Sequence, residues 1–273
     1  MSSSLLTSAQ SHLTGLRSRA HVPFSNRPQS ALVVLRDGRW IPGVRIESAS
    51  YSLSISAVSN AITTAHSLQC FDDVVGLIAS APLSGADRAY LRALDGFEQA
   101  GVSANGRDNG RLTSSGSSHG ASAGHAVAYW RDAPPSVLTD AADPTHPVPS
   151  SSQAGVEAAR AVASHAHIPE SHFPVGAILV HSNRVAIPGV NVEHPDWTRI
   201  LCAERNALST AYAYGYTECT ALYLSCPKAP NGSPCGACRQ VLAERATQAT
   251  LYMDRHDAPV EQTTPAELLP SFF

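Results

Sequence analysis

Three cysteines in the second half of the chain have the types and spacing of metal ligands. They lie in 202-CAERNA-207 and 233-SPCGACRQVL-242. Cys235 and Cys238 form a Cys-x-x-Cys pair at a proline-initiated helix start, so one helical turn would bring their thiols together. Cys202 is predicted to begin a second helix. If the N-termini of both helices meet, their partial positive charges favour thiolates over thiols.

A glutamate beside this group suggests catalysis. Three thiolates leave one position of tetrahedral zinc open, which is the arrangement of a catalytic zinc site. Glu204 follows Cys202 by two residues, and its carboxylate could move protons between water and a substrate at the open position. Cys-x-x-Cys alone is also typical of a redox pair or of half a structural zinc site, and Glu204 alone of an acid near a helix start. Together, the four residues favour a catalytic site with one Zn²⁺ per chain.

The elements around these motifs are predicted to alternate between helices and strands. The pattern predicts a helix over 153–167, strands over 175–182 and 185–193, a helix from Cys202 to a C-cap at Gly215, a strand over 221–226 and a helix from near Pro234. Elements of this length in this order indicate an α/β fold, with helices on both faces of a sheet. The cysteines therefore fall at helix starts.

The chain contains an internal repeat. A shift of 146 positions aligns residues 20–62 with 166–208, with 15 identities in 43 positions and no gap. We infer a tandem duplication, with residues 1–150 as the first half and 151–273 as the second half. The Gly/Ser-rich segment 101–124 is expected to be a flexible loop inside the first copy. Residues 125–131 and 135–141 are expected to match 249–255 and 265–271.

The motifs in this order resemble the cytidine deaminase family, in its tetramer-forming type with three cysteine ligands. Besides CAERNA and PCGACRQ, the resemblance rests on 173-FPVGAIL-179, 189-GVNVE-193 and 268-LLPSFF-273. It covers nearly all of residues 155–273 and, weakly, the first copy. It implies three-layer α/β/α domains with five-stranded mixed sheets. It also implies hydrolysis of cytidine or 2′-deoxycytidine to the uridine nucleoside and ammonia, a step of pyrimidine salvage, by zinc-activated hydroxide with Glu204 transferring protons.

The resemblance also implies the contacts to the substrate. Asn191 and Glu193, which leave the same face of a strand because they are two residues apart, would hold ribose hydroxyls. Phe173 would pack against the nucleoside, and the backbone of Ala203 would bind the base edge. Arg205 would hydrogen-bond the cysteine sulfurs and offset the negative charge of three thiolates. The alternatives are core packing for Phe173 and a surface position for Arg205. The remaining cysteines, Cys70, Cys219 and Cys226, are expected to be buried thiols.

The first copy lacks this chemistry. Cys202, Glu204 and Arg205 align with Ser56, Val58 and Ser59; Cys235 and Cys238 align with Ser84 and Asp87; and Asn191 aligns with Arg45. Hydroxyls and a single carboxylate are poor zinc ligands, and no acid or base remains. The first half is therefore predicted to be non-catalytic.

The resemblance also suggests why an inactive copy is kept. Tetrameric relatives build each active site at subunit junctions, so a homodimer of this chain would form a four-domain pseudo-tetramer. Ala49-Ser50-Tyr51 resembles a family segment that reaches into a neighbouring site, whereas the second copy reads Pro195-Asp196-Trp197. Tyr51 would then complete a catalytic site, and Phe273 would stack on the base from another subunit. The alternative for Tyr51 is packing at a domain interface.

Composition narrows the class of substrate. A net charge of −3 and a single lysine, Lys228, disfavour a polynucleotide substrate. The apolar runs are too short to cross a membrane, the N-terminus has no secretory pattern, and a reducing cytoplasm is the expected compartment. A free nucleoside is favoured as the substrate. A nucleotide, a modified nucleoside, a nucleoside antibiotic, and a non-catalytic zinc-binding interaction module remain open alternatives.

Overall fold

The described residues form helices and two β-sheets. The computed structural model describes residues 3–94, 97, 101–103 and 126–271. The α-helices are α1 (Ser3–Arg17), α2 (Ala57–Ser67), α3 (Gly85–Arg92), α4 (Ser152–Val162), α5 (Ala203–Tyr214), α6 (Gly236–Arg245) and α7 (Pro265–Leu268). The strands are β1 (Ser30–Leu35), β2 (Trp40–Val44), β3 (Val74–Ala79), β4 (Gly101–Ser103), β5 (Val127–Trp130), β6 (Gly176–His181), β7 (Ala186–Val190), β8 (Cys219–Ser225), β9 (Thr250–Met253) and β10 (Glu261–Thr263). No helix in these residues is long and apolar enough to cross a membrane.

Each half contributes one five-stranded sheet, in the orders β2-β1-β3-β5-β4 and β7-β6-β8-β9-β10. The second sheet is mixed, as predicted, because β9 follows the α6 crossover and pairs parallel with β8. In the first sheet β5 takes the equivalent place beside β3 but runs antiparallel to it. The prediction of a mixed sheet is therefore wrong for the first half. There β4 follows α3, and the chain returns so that β5, not β4, pairs with β3.

Two other expectations about the first copy need correction. Residues 101–103, placed in the flexible loop, form strand β4, while 104–124 lie outside the described residues. Residues 135–141 contain no helix, whereas their expected match contains α7. Strand β5 lies beside β3 and strand β9 lies beside β8, but β5 is antiparallel to its neighbour whereas β9 is parallel to its neighbour.

Alternating side chains of the central strands bury apolar surface on both sheet faces. In β1, Leu32 and Val34 pack with the leucines of α1, while Val33 and Leu35 pack with α2. In β6, Leu179 packs with α5 and α6, and the opposite face packs against α4. The helices that carry the cysteines therefore lie on one face of the second sheet.

The two halves contact each other along α2 and α5. At the centre of this contact the hydroxyls of Thr64 and Thr210 lie 2.9 Å apart, and these residues are 146 positions apart in the chain. On one side the rings of His66 and His167 approach to 4.5 Å, and on the other those of His21 and Tyr212 approach to 6.1 Å. The same shift of 146 positions relates these two pairs to each other.

Candidate active site

Two helix starts bring the three cysteines together. Cys202 is the N-cap of α5 and Cys235 the N-cap of α6, and Cys238 lies in the first turn of α6. Their sulfurs all lie within 4.8 Å of one another, and Sγ of Cys202 is 3.7 Å from Sγ of Cys235. Tetrahedral zinc with Zn–S bonds of about 2.3 Å separates its sulfurs by about 3.8 Å. The cluster therefore has the dimensions of a zinc site.

The protonation pattern of the cluster is consistent with a site for a cation. Hydrogen bonds from Cys202 and then Cys238 lower the pKa of the Cys235 thiol to about 2. The hydrogen bond with Cys235 in turn raises the pKa of Cys202 to about 12, and the neighbouring sulfurs raise that of Cys238. One thiolate thus suppresses ionisation of the other two, because three negative charges would lie in contact. A bound cation removes that penalty.

The carboxylate of Glu204 lies in the first turn of α5 and is almost completely buried. Burial raises its pKa to about 7, and the nearby charge of Cys235 adds to this effect. A carboxyl group with a pKa near neutrality can both accept and donate a proton. The residue of the first half that aligns with Glu204 is Val58, whose side chain has no proton to transfer.

A cavity of about 440 Å³ opens beside the cluster, and Cys202, Glu204 and Cys235 line it. Its apolar walls come from Phe173, Val175, Trp197, Ile200 and Leu224. A mostly apolar cavity with a few converging polar groups is typical of a site for a small organic molecule. Phe173 lies on the cavity wall, and its contact with a nucleoside stays a prediction.

Asn191 and Glu193 also line this cavity. Glu193 accepts the backbone N–H groups of Glu170 at 2.9 Å and Ser171 at 3.2 Å. Burial alone would raise the pKa of Glu193, but hydrogen bonds from Ser171 and Glu170 outweigh it and lower the pKa. The structure thus presents an ionised carboxylate, which accepts hydrogen bonds from hydroxyl groups.

The side chain of Asn191 holds the segment that carries Phe173. Its Oδ1 accepts the N–H of Val175 at 2.8 Å, and its Nδ2 donates to the carbonyl of Phe173 at 2.9 Å. The sequence prediction covered only a contact with ribose, and the structure adds this positioning role.

Ala203 and Arg205 belong to the same helix start. Ala203 is the first residue of α5, so its N–H has no acceptor within the helix. A Cβ on Gly189 would lie 2.4 Å from the carbonyl oxygen of Ala203, so glycine lets β7 approach this helix closely. Arg205 is buried and donates from Nη2 to the carbonyl of Leu53 in the first half at 3.0 Å, while its buried Nε has no hydrogen-bond partner among the described residues. A contact of Arg205 with the sulfurs stays a prediction.

Two further residues, Tyr51 and Phe273, are predicted to act at the site of another domain or subunit. The side chain of Tyr51 is 88% exposed and does not line the cavity of its own chain. Phe273 lies outside the described residues. Of the cysteines expected to be buried thiols, Cys219 and Cys226 are buried and Cys70 is partly buried; Cys226 also lines the cavity.

Trp197 is the aromatic residue of the cavity wall that the sequence prediction does not place at the site. It occupies the position aligned with Tyr51, where the second copy departs from the family pattern. The available signal was an aromatic residue five positions before Cys202, in a copy that keeps its metal ligands.

The chain is similar to known deaminases over the part that contains this site. The family model of the cytidine and deoxycytidylate deaminase zinc-binding region matches residues 149–254. The cytidine deaminase of Halalkalibacterium halodurans is 37% identical over 109 residues, which are 40% of this chain and 83% of that protein. The cytidine deaminase of Sporosarcina psychrophila is 38% identical over 109 residues, which are 40% of this chain and 80% of that protein. A match to the crystal structure of cytidine deaminase from Burkholderia pseudomallei covers 44% of this chain and 98% of that chain. The sequence identity is 35% and the TM-score is 0.42. The three cysteines and Glu204 lie within the matched residues.

Proposed function

Because the chain belongs to the cytidine deaminase family, we infer that it hydrolyses cytidine or 2′-deoxycytidine to the uridine nucleoside and ammonia. The observation that carries this inference is the meeting of a zinc-sized cysteine cluster, a buried glutamate and an apolar cavity at the starts of α5 and α6. A nucleoside has a flat apolar ring and a hydroxylated sugar, and this cavity offers surfaces for both.

The residues of the cluster have the following roles in this proposal. Cys202, Cys235 and Cys238 hold one zinc ion per chain, which when bound supplies a Lewis acid that activates water. The Glu204 carboxylate would transfer two protons in turn: the first from the attacking water to ring N3, and the second from the hydroxyl group added at C4 to the departing amino group. Because Glu204 is buried at the cavity wall, bulk water does not compete for these transfers.

The substrate contacts follow from the groups that line the cavity. The Glu193 carboxylate accepts hydrogen bonds from ribose hydroxyls, and the Asn191 amide donates a hydrogen bond to them. Phe173 packs against the nucleoside. The free N–H of Ala203 donates to the edge of the base. The hydrogen bond from Arg205 to the carbonyl of Leu53 holds the guanidinium in place. Its positive charge offsets the negative charge of the three thiolates.

We also propose that the chain is a tandem duplication, with a boundary near residue 150 and three layers in each domain. The shared strand order at one end of both sheets supports this proposal. So does the Thr64–Thr210 contact, which pairs equivalent positions at the centre of the interface. The first domain is non-catalytic, since the residues aligned with the zinc ligands are two serines and an aspartate.

We propose that two chains form a homodimer with four domains. The proposed substrate is a free nucleoside. The support for the dimer is the exposure of Tyr51, an apolar ring left in water on the surface of one chain. In the dimer Tyr51, and Phe273 beyond the described residues, would contact the site of the partner chain. The zinc site requires reduced thiols, which favours a reducing, cytoplasmic compartment.

The deciding experiment uses the purified full chain with cytidine and with 2′-deoxycytidine. We expect the ultraviolet absorbance of the cytosine ring to fall while ammonia appears, in protein that contains one zinc per chain by elemental analysis. Zinc-loaded protein that converts neither nucleoside would contradict the proposal and favour a non-catalytic zinc-binding module.

A further inference from the structure

The wall of the catalytic cavity includes a tryptophan with no role assigned so far. The side chain of Trp197 is 64% exposed, yet it lines the same cavity as Phe173. An indole ring in water retains apolar surface that a flat ligand can cover. Two partly exposed aromatic rings on one cavity therefore provide stacking surfaces for a nucleobase.

The turn that carries Trp197 is held in one conformation by its neighbours. Trp197 begins a single 3₁₀ turn, Trp197–Arg199, whose N-cap is Asp196. Asp196 Oδ1 accepts the N–H of Thr198 at 3.1 Å and its hydroxyl at 2.7 Å, and Oδ2 accepts Nε of Arg199 at 2.9 Å. Hydrogen bonds from Thr198 and Arg199 lower the pKa of Asp196 to about 2, so these contacts persist near neutral pH. The exposed ring thus stands on a rigid support.

The first half of the chain anchors this support. Nδ1 of His194 accepts the N–H of Asp196 at 3.0 Å, so the ring proton lies on Nε2 and is donated to the carbonyl of Tyr90 at 3.0 Å. The His194 and Tyr90 rings stack with centroids 4.5 Å apart. Arg199 donates from Nη1 to the carbonyl of Ala86 at 3.2 Å. Both acceptors belong to α3, so a helix of the non-catalytic half fixes the turn on either side of Trp197.

The equivalent turn of the first half is built differently. Tyr51 begins the 3₁₀ turn Tyr51–Leu53, but its N-cap Ser50 makes no side-chain capping bond. Ser48 takes the place of His194 and donates to Glu244 in α6. The aspartate and histidine anchors are therefore specific to the turn whose aromatic ring lines the cavity.

From this geometry we propose that Trp197 is a substrate-contacting residue that stacks on the nucleoside at the cavity wall. His194 and Arg199 are positioning residues that hold Trp197 through α3. This inference rests on the proposed function and deepens it, since the catalytic half supplies its own aromatic wall and the first half keeps that wall in place. The substrate class is a nucleoside whose base has one ring face available for stacking on the indole of Trp197.

The test uses the full zinc-loaded chain, wild type and variants, with cytidine in steady-state assays. Trp197→Ala is expected to raise KM between about fivefold and a hundredfold, the range of a lost base–aromatic stack, and to leave kcat much less affected. Trp197→Phe keeps a stacking ring and should recover most of the KM. Since Trp197 is an exposed side chain, neither variant should unfold the protein.

A binding measurement separates this inference from the proposed function. Uridine, the expected product, should quench tryptophan fluorescence of the wild type and of the control Trp130→Phe, but not of Trp197→Phe. If the wild type converts no cytidine, the proposed function fails, and quenching by uridine still reports on Trp197. Turnover with unchanged KM in Trp197→Ala would overturn the inference, as would a change of oligomeric state in that variant without a change of KM.

The positioning step has its own test. His194→Ala should raise KM severalfold in the wild-type background and have no further effect in Trp197→Ala, because both variants remove the same ring contact. Additive effects would show that His194 acts independently of Trp197 and would overturn the anchoring part of the proposal. A kcat loss without a KM change would do the same.

Discussion

The helices that begin at equivalent positions in the two halves have N-termini with different partners. In the first half Ser56 accepts the N–H of Ser59, and Ser84 accepts the N–H of Asp87 and donates to its carboxylate at 2.6 Å. In the second half Cys202 and Cys235 occupy the N-cap positions, and among the described residues their side chains make no capping hydrogen bond. One scaffold thus supports either capped helices or a metal site. The helix N-termini of the catalytic half carry metal ligands, whereas those of the first half are capped by serine side chains.

The positions proposed to bind ribose show the same contrast between the two halves. Glu47 is held by the backbone N–H groups of Phe24 and Ser25, much as Glu193 is held by the equivalent loop. Arg45, however, stands where the second half has Asn191, and its Nε lies 2.9 Å from Oε1 of Glu47. The carboxylate of the first half therefore already has a charged partner. The first half thus has a carboxylate held in the same way as Glu193, but this carboxylate is paired with an arginine.

The largest expected difference between the halves concerns the metal. The double variant Cys235→Ala and Cys238→Ala should lose zinc and all cytidine turnover, because two of three ligands are gone. The matched variant of the first half, Ser84→Ala and Asp87→Ala, should retain one zinc per chain and its activity. Elemental analysis and the ultraviolet assay measure both. Zinc retained in the cysteine variant would place the metal elsewhere.

The second difference concerns the proton-transferring residue. Glu204→Gln should lower kcat by about 10²–10⁴, the contribution of general acid–base catalysis, while zinc content stays at one per chain. Val58→Glu creates the same residue at the equivalent place in the first half and should add no activity, because no metal site lies beside it. Turnover of Glu204→Gln within about tenfold of wild type would contradict the assigned role.

Local sequence motifs predict the residues that carry the chemistry, but they do not predict the long-range contacts that surround the site. The spacing of Cys235 and Cys238 and the position of Glu204 depend on one or two helical turns, so the sequence alone places them. The anchoring of Trp197 depends on Tyr90, which is 104 positions from His194, and the partner of Arg205 is 152 positions away. No local pattern reports such contacts.

The direction of β5 was missed for a related reason. Residues 125–131 are expected from the sequence to match 249–255, and β5 lies beside β3 as β9 lies beside β8. Strand direction, however, depends on the path of the intervening chain. In the first half β4 precedes β5 in the sequence, and the two strands pair antiparallel. Composition of the strand itself carries no information about that path.

The third prediction concerns an ion pair that stabilises the second half. Asp254 is buried and accepts two hydrogen bonds from Arg160 on α4, one from Ser225 and one from the N–H of His256. Burial opposes ionisation, but these contacts outweigh it and lower the pKa of Asp254 to about 2. Asp254→Asn should lower the free energy of unfolding at neutral pH by about 1–3 kcal/mol.

The pH dependence of stability checks the same contact. Because the folded pKa of Asp254 lies below its ordinary value of 3.8, its stabilisation is present above pH 3.8 and is lost as the pH falls toward 2. Denaturant unfolding across that window should show a flatter pH dependence in Asp254→Asn than in wild type. Glu157→Gln on the exposed face of α4 is the control and should leave both the stability and its pH profile unchanged.

The smallest expected effect tests whether the first half replaced metal ligands with helix caps. Ser56→Ala and Ser84→Ala should each lower the free energy of unfolding by about 0.5–2 kcal/mol, the usual cost of removing an N-cap side chain. Ser151, which caps α4 by accepting the N–H of Ala154, provides the reference, since it is a cap outside either site. Denaturant midpoints compare the three variants, and turnover should stay at the wild-type level in all of them. If Ser151→Ala is destabilising while Ser56→Ala and Ser84→Ala are not, then the serines only fill space left by the lost ligands, and the trade between capping and metal binding does not explain how the two halves diverged.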